Sequence, residues 1–410
     1  MKAAIISIGS ELTSGNTVNS NAAFMARFLK RHGIATDKII TIPDDEPSVR
    51  NALDALKSAY QLVLVTGGLG PTHDDMTKAI LGSYFHSKMV FHPEVLEKIE
   101  ALFSSRGRTM SAVNREQAFL PDNADIIPNH HGTAQGMKFE LDGTTYYFMP
   151  GVPYEMERML AEEISRELGR WSTGEIATRV VHVSGIPEST LYERLKDWLT
   201  RYPEIRVSFL PRFTHIDISL TANSSSAIAQ INKAIDDLKS LLGNLIFGYD
   251  GTKLEAVVGE LLRRNRYRIA VAESCTGGLI GDRLTDVSGS SDYFLAGLVT
   301  YSNDAKVKLL DMNPETLRKY GAVSRETALE MALGVRKKLG SDVGLSSTGI
   351  AGPTGGTAQK PVGTLFIGIV MEGFAEGYHF KYIWDRRKNK EMFAQVALNQ
   401  LRLVLENNKS

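Results

Sequence analysis

Two stretches of this 410-residue chain place reactive residue types at spacings that serve chemistry. In Thr66-Gly67-Gly68-Leu69-Gly70-Pro71-Thr72-His73-Asp74-Asp75, three glycines follow an apolar run and lead into two adjacent carboxylates. Glycines let backbone N–H groups approach phosphate oxygens. Adjacent carboxylates repel one another, so they suit a hard divalent ion that bridges protein and phosphate. The plainer alternative is a tight turn with Asp74 or Asp75 capping a helix. Ala272-Glu273-Ser274-Cys275-Thr276-Gly277-Gly278-Leu279 instead presents a serine at a helix start, where dipole and N–H groups stabilise negative charge. A serine hydroxyl needs a base. The chain has no Gly-x-Ser-x-Gly and no Ser-x-x-Lys, and its nine histidines are scattered. The remaining candidate is Lys306, in Tyr301-Ser302-Asn303-Asp304-Ala305-Lys306, with Tyr301 as a proton relay. A lysine serves as base only where burial or a neighbouring cation lowers its pKa. Three alternatives stand beside this: Lys306 as a solvated helix lysine, Ser274 as an N-cap, and Cys275 as the nucleophile, since a helix start lowers a thiol pKa.

Elements must bring these stretches to sites. Residues 1 to about 170 alternate apolar strands with helix patterns: strands Ala3–Ile8, Lys38–Ile42 and Leu62–Thr66, helices Asn21–His32 and Val49–Ser58, and a helix from about Met76. That order predicts a parallel sheet between two helical layers. Ligands of such sheets bind beyond the carboxyl ends of the strands. Gly9-Ser10-Glu11-Leu12, Asn129-His130-His131-Gly132-Thr133-Ala134 and Pro150-Gly151-Val152-Pro153 all fall at predicted strand ends. Residues 171–252 read as a small α+β unit, with strands Val180–Val183 and Ile216–Thr221, helices Ser189–Leu199 and Ser226–Leu241, and no chemical motif. From 253 to 410 a third, α/β unit follows. Its strands are Arg268–Ala272, Phe294–Tyr301, Val343–Ser347 and Gly363–Met371; its helices are Leu254–Asn265, Gly277–Leu284, Glu326–Leu339 and Asn389–Leu405.

Composition excludes several classes. Lys+Arg and Asp+Glu are both 47, so the net charge is zero, against direct nucleic-acid binding. The lone cysteine, Cys275, rules out an internal disulfide or a Cys-rich zinc site and points to a cytoplasmic protein. The opening apolar run is short and leads into Ser10-Glu11 without a cleavage pattern, so it reads as a buried strand rather than a signal peptide. No apolar stretch reaches the roughly 20 residues of a membrane span.

The Ile8–Leu12 and Thr66–Asp75 stretches, Asn114 with Gln117-Ala118, Asn129–Ala134 and Pro150–Met156 resemble the competence/damage-inducible CinA family. Its first domain is similar to molybdopterin-binding domains. The resemblance implies a three-layer αβα domain that cleaves ADP-ribose to AMP and ribose 5-phosphate with a divalent metal (Mg, Mn or Co). Asp75 falls on the acidic residue that closes the Gly-Gly-x-Gly motif. The metal would then lie with Glu11, Asp74 and Asp75, and the nucleotide with Gly67, Gly68, Gly70, Thr133 and Gly151. Gln135 and Ser10 depart from the pattern, since many members carry Pro and Asp there.

Residues 253–410 resemble the nicotinamide mononucleotide deamidase domain of the same family, through Ala272–Gly278, Tyr301–Lys306, Gly321–Ser324, Thr348–Gly356 and Lys360–Thr364. The family's catalytic serine, tyrosine and lysine fall on Ser274, Tyr301 and Lys306. The resemblance implies conversion of nicotinamide mononucleotide to nicotinate mononucleotide and ammonia without metal or organic cofactor. Thr276, Gly277 and Gly278 would serve the oxyanion or phosphate, Thr348 and Gly349 the nucleotide, and Arg386 the phosphate. A solvated surface role for Arg386 stands beside that last one. The resemblance also implies a homodimer acting on small nucleotides.

Overall fold

Three buried runs pair side by side, as the lack of polar alternation in the first two predicts, with a more exposed strand at their edge. In the computed structural model, which describes residues 2–70, 77–171 and 176–407, strands Thr36–Ile42, Ala3–Ile8, Leu62–Thr66 and Thr144–Met149 lie in that order, all parallel. Gly136–Leu141 and Asp125–Ile127 extend the sheet antiparallel. The six-stranded sheet is therefore mixed, where the alternating order predicts an all-parallel one. The cause is local: Asp142 and Gly143, at φ 49° and 80°, close a two-residue hairpin between Gly136–Leu141 and Thr144–Met149.

Alternate residues of Ala3–Ile8 face opposite layers. Ala4, Ile6 and Ile8 pack with Val49, Leu53, Ile80 and Val95 on one side. Ala3 and Ile5 pack with Met25, Phe28, Leu29 and Met159 on the other. Side chains fix the entry of two helices: Asn19 accepts from Ala22 N ahead of Ser20–Arg31, and Asp45 from Ser48 N ahead of Glu46–Leu56. The result is the expected αβα sandwich.

By its contacts the chain parts into two units, Met1–Ala177 with Asn223–Ile228, and Thr178–Ala222 with Ala229–Ser410. The second unit holds two sheets. A four-stranded sheet runs Arg206–Pro211, Ile216–Ala222, Ala177–Val183, Ile246–Tyr249, and forms the small α+β part with helices Glu188–Leu199 and Ser225–Leu242. A five-stranded sheet runs Phe294–Val299, Ile269–Glu273, Val343–Gly349, Thr364–Met371, Phe374–Lys381. Its first three strands are parallel and its last two antiparallel. Arg402, 1% exposed on the last helix (Arg386–Asn407), joins the two parts of this unit. Its guanidinium donates to the Asn244 and Ile246 carbonyls and pairs with Glu406. Among the described residues no helix is long and apolar enough to cross a membrane.

That last helix carries Arg386 and Asn389 toward the serine-bearing loop, and its buried face anchors it through Phe393. Phe393→Ala is expected to lower the unfolding free energy of this unit by about 3–5 kcal/mol. Urea titration followed by Trp198 and Trp384 fluorescence reads the shift.

Candidate functional site

Two loops at the carboxyl ends of parallel strands meet beside Ser274. Ile269–Glu273 ends directly before it, and the Ser274 amide donates to the Ser347 carbonyl at 2.9 Å. The neighbouring strand stops at Val299, two residues earlier than its apolar pattern predicts. Thr300 and Tyr301 therefore leave the sheet and turn their carbonyls on Lys306. Lys306 lies on the helix Asn303–Leu310, which Ser302 caps by accepting from Ala305 N. Its side chain is 1% exposed. Lys306 Nζ lies 3.0 Å from Ser274 Oγ, 2.8 Å from the Thr300 carbonyl and 3.1 Å from the Tyr301 carbonyl. Burial pushes its pKa down to about 8. As an ammonium it donates to all three oxygens. As a free amine it keeps two N–H for the carbonyls and turns its lone pair on the Ser274 hydroxyl. At pH 7 about a tenth of such a group is free amine, against roughly one in 2,500 for an unperturbed lysine. The solvated-lysine alternative does not describe this residue.

Cys275 is buried beside the pair, and burial pushes its thiol up to about 12. It keeps its proton at neutral pH, so the better nucleophile by element is the poorer one by environment.

The turn after Ser274 differs from the sequence expectation. The helix runs Leu279–Thr285 rather than Gly277–Leu284, because Gly277 and Gly278 adopt φ 65° and 99°. The amides at its start are also taken. Glu273, 1% exposed, accepts from Gly278 N and Ile280 N on one oxygen (2.9 and 3.1 Å) and from Gly281 N on the other (2.8 Å). Gly278 N is thus no donor for an oxyanion or phosphate. Among the described residues, no hydrogen bond within the chain engages the amides of Thr276 or Gly277. The Thr276 hydroxyl is tied to Ser347 Oγ at 2.7 Å.

A cleft of about 290 Å³ opens over the pair, lined by Ser274, Tyr301, Lys306, Thr348, Gly349 and Arg386 among others. The Tyr301 ring, 62% exposed, turns away from Lys306, and its hydroxyl accepts from Arg386 Nη2 at 3.0 Å. What touches Lys306 is the Tyr301 carbonyl, not the phenol. Arg386, on the first residue of the last helix, also donates to the Gly352 carbonyl at 2.7 Å. Asn389, fully buried one turn on, donates to the Ala351 carbonyl and holds the same loop from beneath. The Thr348 hydroxyl is spent on the Ala322 carbonyl at 2.6 Å. At Gly349 a Cβ would lie 2.5 Å from the Thr364 carbonyl and 3.2 Å from Cys275 Sγ, so only glycine fits.

In the first unit the expected strand ends do converge. The Gly67 amide donates to the Met149 carbonyl. The Thr66 hydroxyl donates to the Pro150 carbonyl, and Asn21 Nδ2 reaches both Thr66 Oγ1 and the Gly151 carbonyl. Gly67 sits at φ 109°, and a Cβ there would strike the Ile8 carbonyl. At Gly68, a Cβ would strike Thr77 Oγ1 and approach Asp44 Oδ1. Asn129 shapes the loop that carries Thr133, accepting from the amides of His131 and Gly132 and donating to Glu155. Glu11 is exposed at the same edge, on the turn after Ala3–Ile8. Gly70 ends the described part of its turn; Asp74 and Asp75 lie outside the described residues.

Asn21 and Asn389 carry no expected role from the sequence; Asn129, Glu155 and Glu273 stand inside the quoted stretches, but without a role of their own. The one signal for Glu273 is a charge closing an otherwise apolar strand.

Among the described residues, His182, His215 and Asp217 group their side chains closely enough to hold a metal. Their hydrogen bonds are complete as they stand. Gly251 N donates to His182 Nε2, so Nδ1 carries the proton that Asp217 Oδ1 accepts. Arg212 Nε donates to the other carboxylate oxygen. Burial lowers the His215 pKa, which keeps that ring neutral. The cluster reads as a satisfied polar core.

Residues 4–170 match the family described as probable molybdopterin binding domain, 178–248 the damage-inducible protein CinA KH domain, and 251–405 the CinA C-terminal domain. KH modules clamp nucleotides with a Gly-x-x-Gly loop, and residues 178–248 contain no such sequence. A putative competence-damage inducible protein of Caldicellulosiruptor saccharolyticus is 38% identical over 410 residues, covering 99% of this chain and 100% of its own. A CinA-like protein of Chloroherpeton thalassium is 41% identical over 417 residues, covering 99% of each. The crystal structure of competence/damage inducible protein CihA from Agrobacterium tumefaciens is 38% identical, covering 36% of this chain and 95% of that one, with a TM-score of 0.33.

Two outcomes are expected from this geometry. Any reaction begun by Ser274 should gain rate as pH rises through about 8, the range in which Lys306 loses its proton; kcat/KM against pH reads it. Cys275 should react with iodoacetamide at pH 7.5 more than about a hundredfold slower in the folded chain than in urea, measured by mass spectrometry.

Proposed function

The chain belongs to the CinA family, and on that premise we propose that its C-terminal part is a serine–lysine amidohydrolase that converts nicotinamide mononucleotide to nicotinate mononucleotide and ammonia. The observation that carries this reading is the buried Lys306 amine, 3.0 Å from Ser274 Oγ with its other two hydrogen bonds on carbonyls. A carboxamide is a poor electrophile. Its hydrolysis calls for an activated nucleophile, an oxyanion site and a proton for the leaving amine.

Each step falls to a named group. Lys306, as free amine, takes the Ser274 proton while Oγ attacks the carboxamide carbon. The amides of Thr276 and Gly277 are the donors for the resulting oxyanion. Lys306, now an ammonium, returns the proton to the departing nitrogen, and ammonia leaves an ester on Ser274. Water attacks that ester with Lys306 again as base. Nicotinate mononucleotide departs as Ser274 Oγ regains a proton. Arg386 reaches the phosphate at the cleft mouth by leaving Tyr301. In this reading Tyr301 assists Lys306 through its carbonyl rather than its phenol.

For the first unit the proposal is metal-dependent hydrolysis of a sugar-nucleotide diphosphate, with ADP-ribose giving AMP and ribose 5-phosphate. Carboxylate oxygens stand at its strand-end edge, those of Glu11 and Asp44 among them, and fit a hard divalent ion in type. Such an ion would polarise the phosphoanhydride. Gly67 and Gly68 turn at positive φ without side chains, which would let a phosphate approach the backbone there.

Ammonia release from nicotinamide mononucleotide by metal-free protein is the test. Wild type should turn over, and Ser274→Ala and Lys306→Ala should each lose at least about a thousandfold in kcat. Activity that survives Ser274→Ala contradicts the proposal. For the first unit, AMP release from ADP-ribose should require added divalent metal. Binding of ADP-ribose without AMP release would make that unit a binding module instead.

A further inference from the structure

We propose that Glu273 is the positioning residue of the Ser274 centre: one side chain and one carbonyl of this residue hold both the nucleophile turn and the approach of the base. Its carboxylate faces Ser274's own turn, not the substrate cleft, and is 1% exposed. Gly278 N, Ile280 N and Gly281 N converge on its two oxygens at 2.8 to 3.1 Å. The turn those amides close spans two consecutive left-handed residues, Gly277 and Gly278. Without an acceptor at its centre, the buried Ile280 amide and the part-buried Gly278 and Gly281 amides would lose their partner.

The backbone of Glu273 does the second half. Its carbonyl accepts from Thr300 N at 2.8 Å, and the Thr300 carbonyl in turn accepts from Lys306 Nζ at 2.8 Å. Ser274 follows Glu273 in the chain, so the serine is one peptide bond, and its base two hydrogen bonds through Thr300, from the same residue. The side chain fixes the turn after Ser274, and the peptide fixes the strand end from which Lys306 is held. The same carboxylate consumes Gly278 N and so decides which amides stay available: those of Thr276 and Gly277.

A neutral carboxamide at this position retains an acceptor but puts an N–H against at least one of the three amides. Glu273→Gln should therefore loosen the turn with little change in volume. Glu273→Asp keeps the charge one methylene short and should recover part of the loss. The kinetic half of the test rests on the amidase reading; the exchange half does not. Hydrogen exchange of peptides within residues 274–285, read by mass spectrometry, should quicken at least about tenfold in Glu273→Gln and less in Glu273→Asp. The kcat for nicotinamide mononucleotide should fall about 10- to 100-fold in Glu273→Gln, the scale of a small misplacement of reacting groups. KM and the pH limb near 8 should stay in place.

Unchanged exchange in the turn overturns the proposal, as does faster exchange with undiminished kcat. So does a pH limb that moves with the substitution, since Glu273 would then act on the charge of Lys306 rather than on position. If Glu273→Gln does not fold, Glu273→Asp carries the same comparison. A wild type inert on nicotinamide mononucleotide, with exchange still dependent on Glu273, supports the hold on the turn and removes the amidase reading instead.

Discussion

A buried primary amine whose hydrogen bonds all go to oxygens is the constraint on which the C-terminal part depends. Lys306 sits where its charge is poorly solvated, and burial moves its pKa down to about 8. Two of its three hydrogen bonds go to carbonyls, which accept and never donate. The third faces a hydroxyl, which does either. The amine can therefore lose a proton without losing a partner, and its lone pair has one direction to point. Among the described residues, Ser274 becomes chemically distinct from the other serines through that direction.

The surrounding fold exists to keep those three oxygens in place. Parallel strands deliver Ser274 and Thr300 to one edge of the sheet. The early end of Phe294–Val299 frees the two carbonyls. The last helix supplies Asn389 from beneath and Arg386 from above, so the loop over the cleft is held on both sides. Arg402, further along the same helix, ties it to the α+β part. The other member of the turn, Cys275, shows the reverse effect of the same burial. Desolvation that frees an amine of its proton locks a thiol to its own.

Much of this is legible in the sequence, for different physical reasons in different places. Ala3–Ile8 and Leu62–Thr66 are buried on both faces and read as unbroken apolar runs. Ser274 and Lys306 stand in long motifs whose order resembles one family, and they meet at hydrogen-bond distance. Side-chain direction is not legible in the same way. Tyr301 is adjacent to the site in sequence, yet its ring turns out toward Arg386 while its carbonyl turns in. Nor does helical pattern locate the start of Leu279–Thr285, because the two glycines before it take left-handed angles. The Asp142-Gly143 hairpin escapes a reading built on strand–helix alternation and makes the first sheet mixed. Phe374–Lys381, an edge strand with polar residues interleaved, lacks the apolar run that marks its neighbours. In the first unit the glycines and strand ends converge, while Asp74 and Asp75 fall outside the described residues.

The most direct measurement is the titration of Lys306 itself, by NMR of chain labelled with 13C at lysine Cε, with the signal identified by its loss in Lys306→Met. The account predicts a single lysine that titrates near pH 8, well apart from the exposed lysines. A Lys306 signal that titrates with the others, near the ordinary value of about 10.4, would contradict it. Ser274 would then have no base at neutral pH.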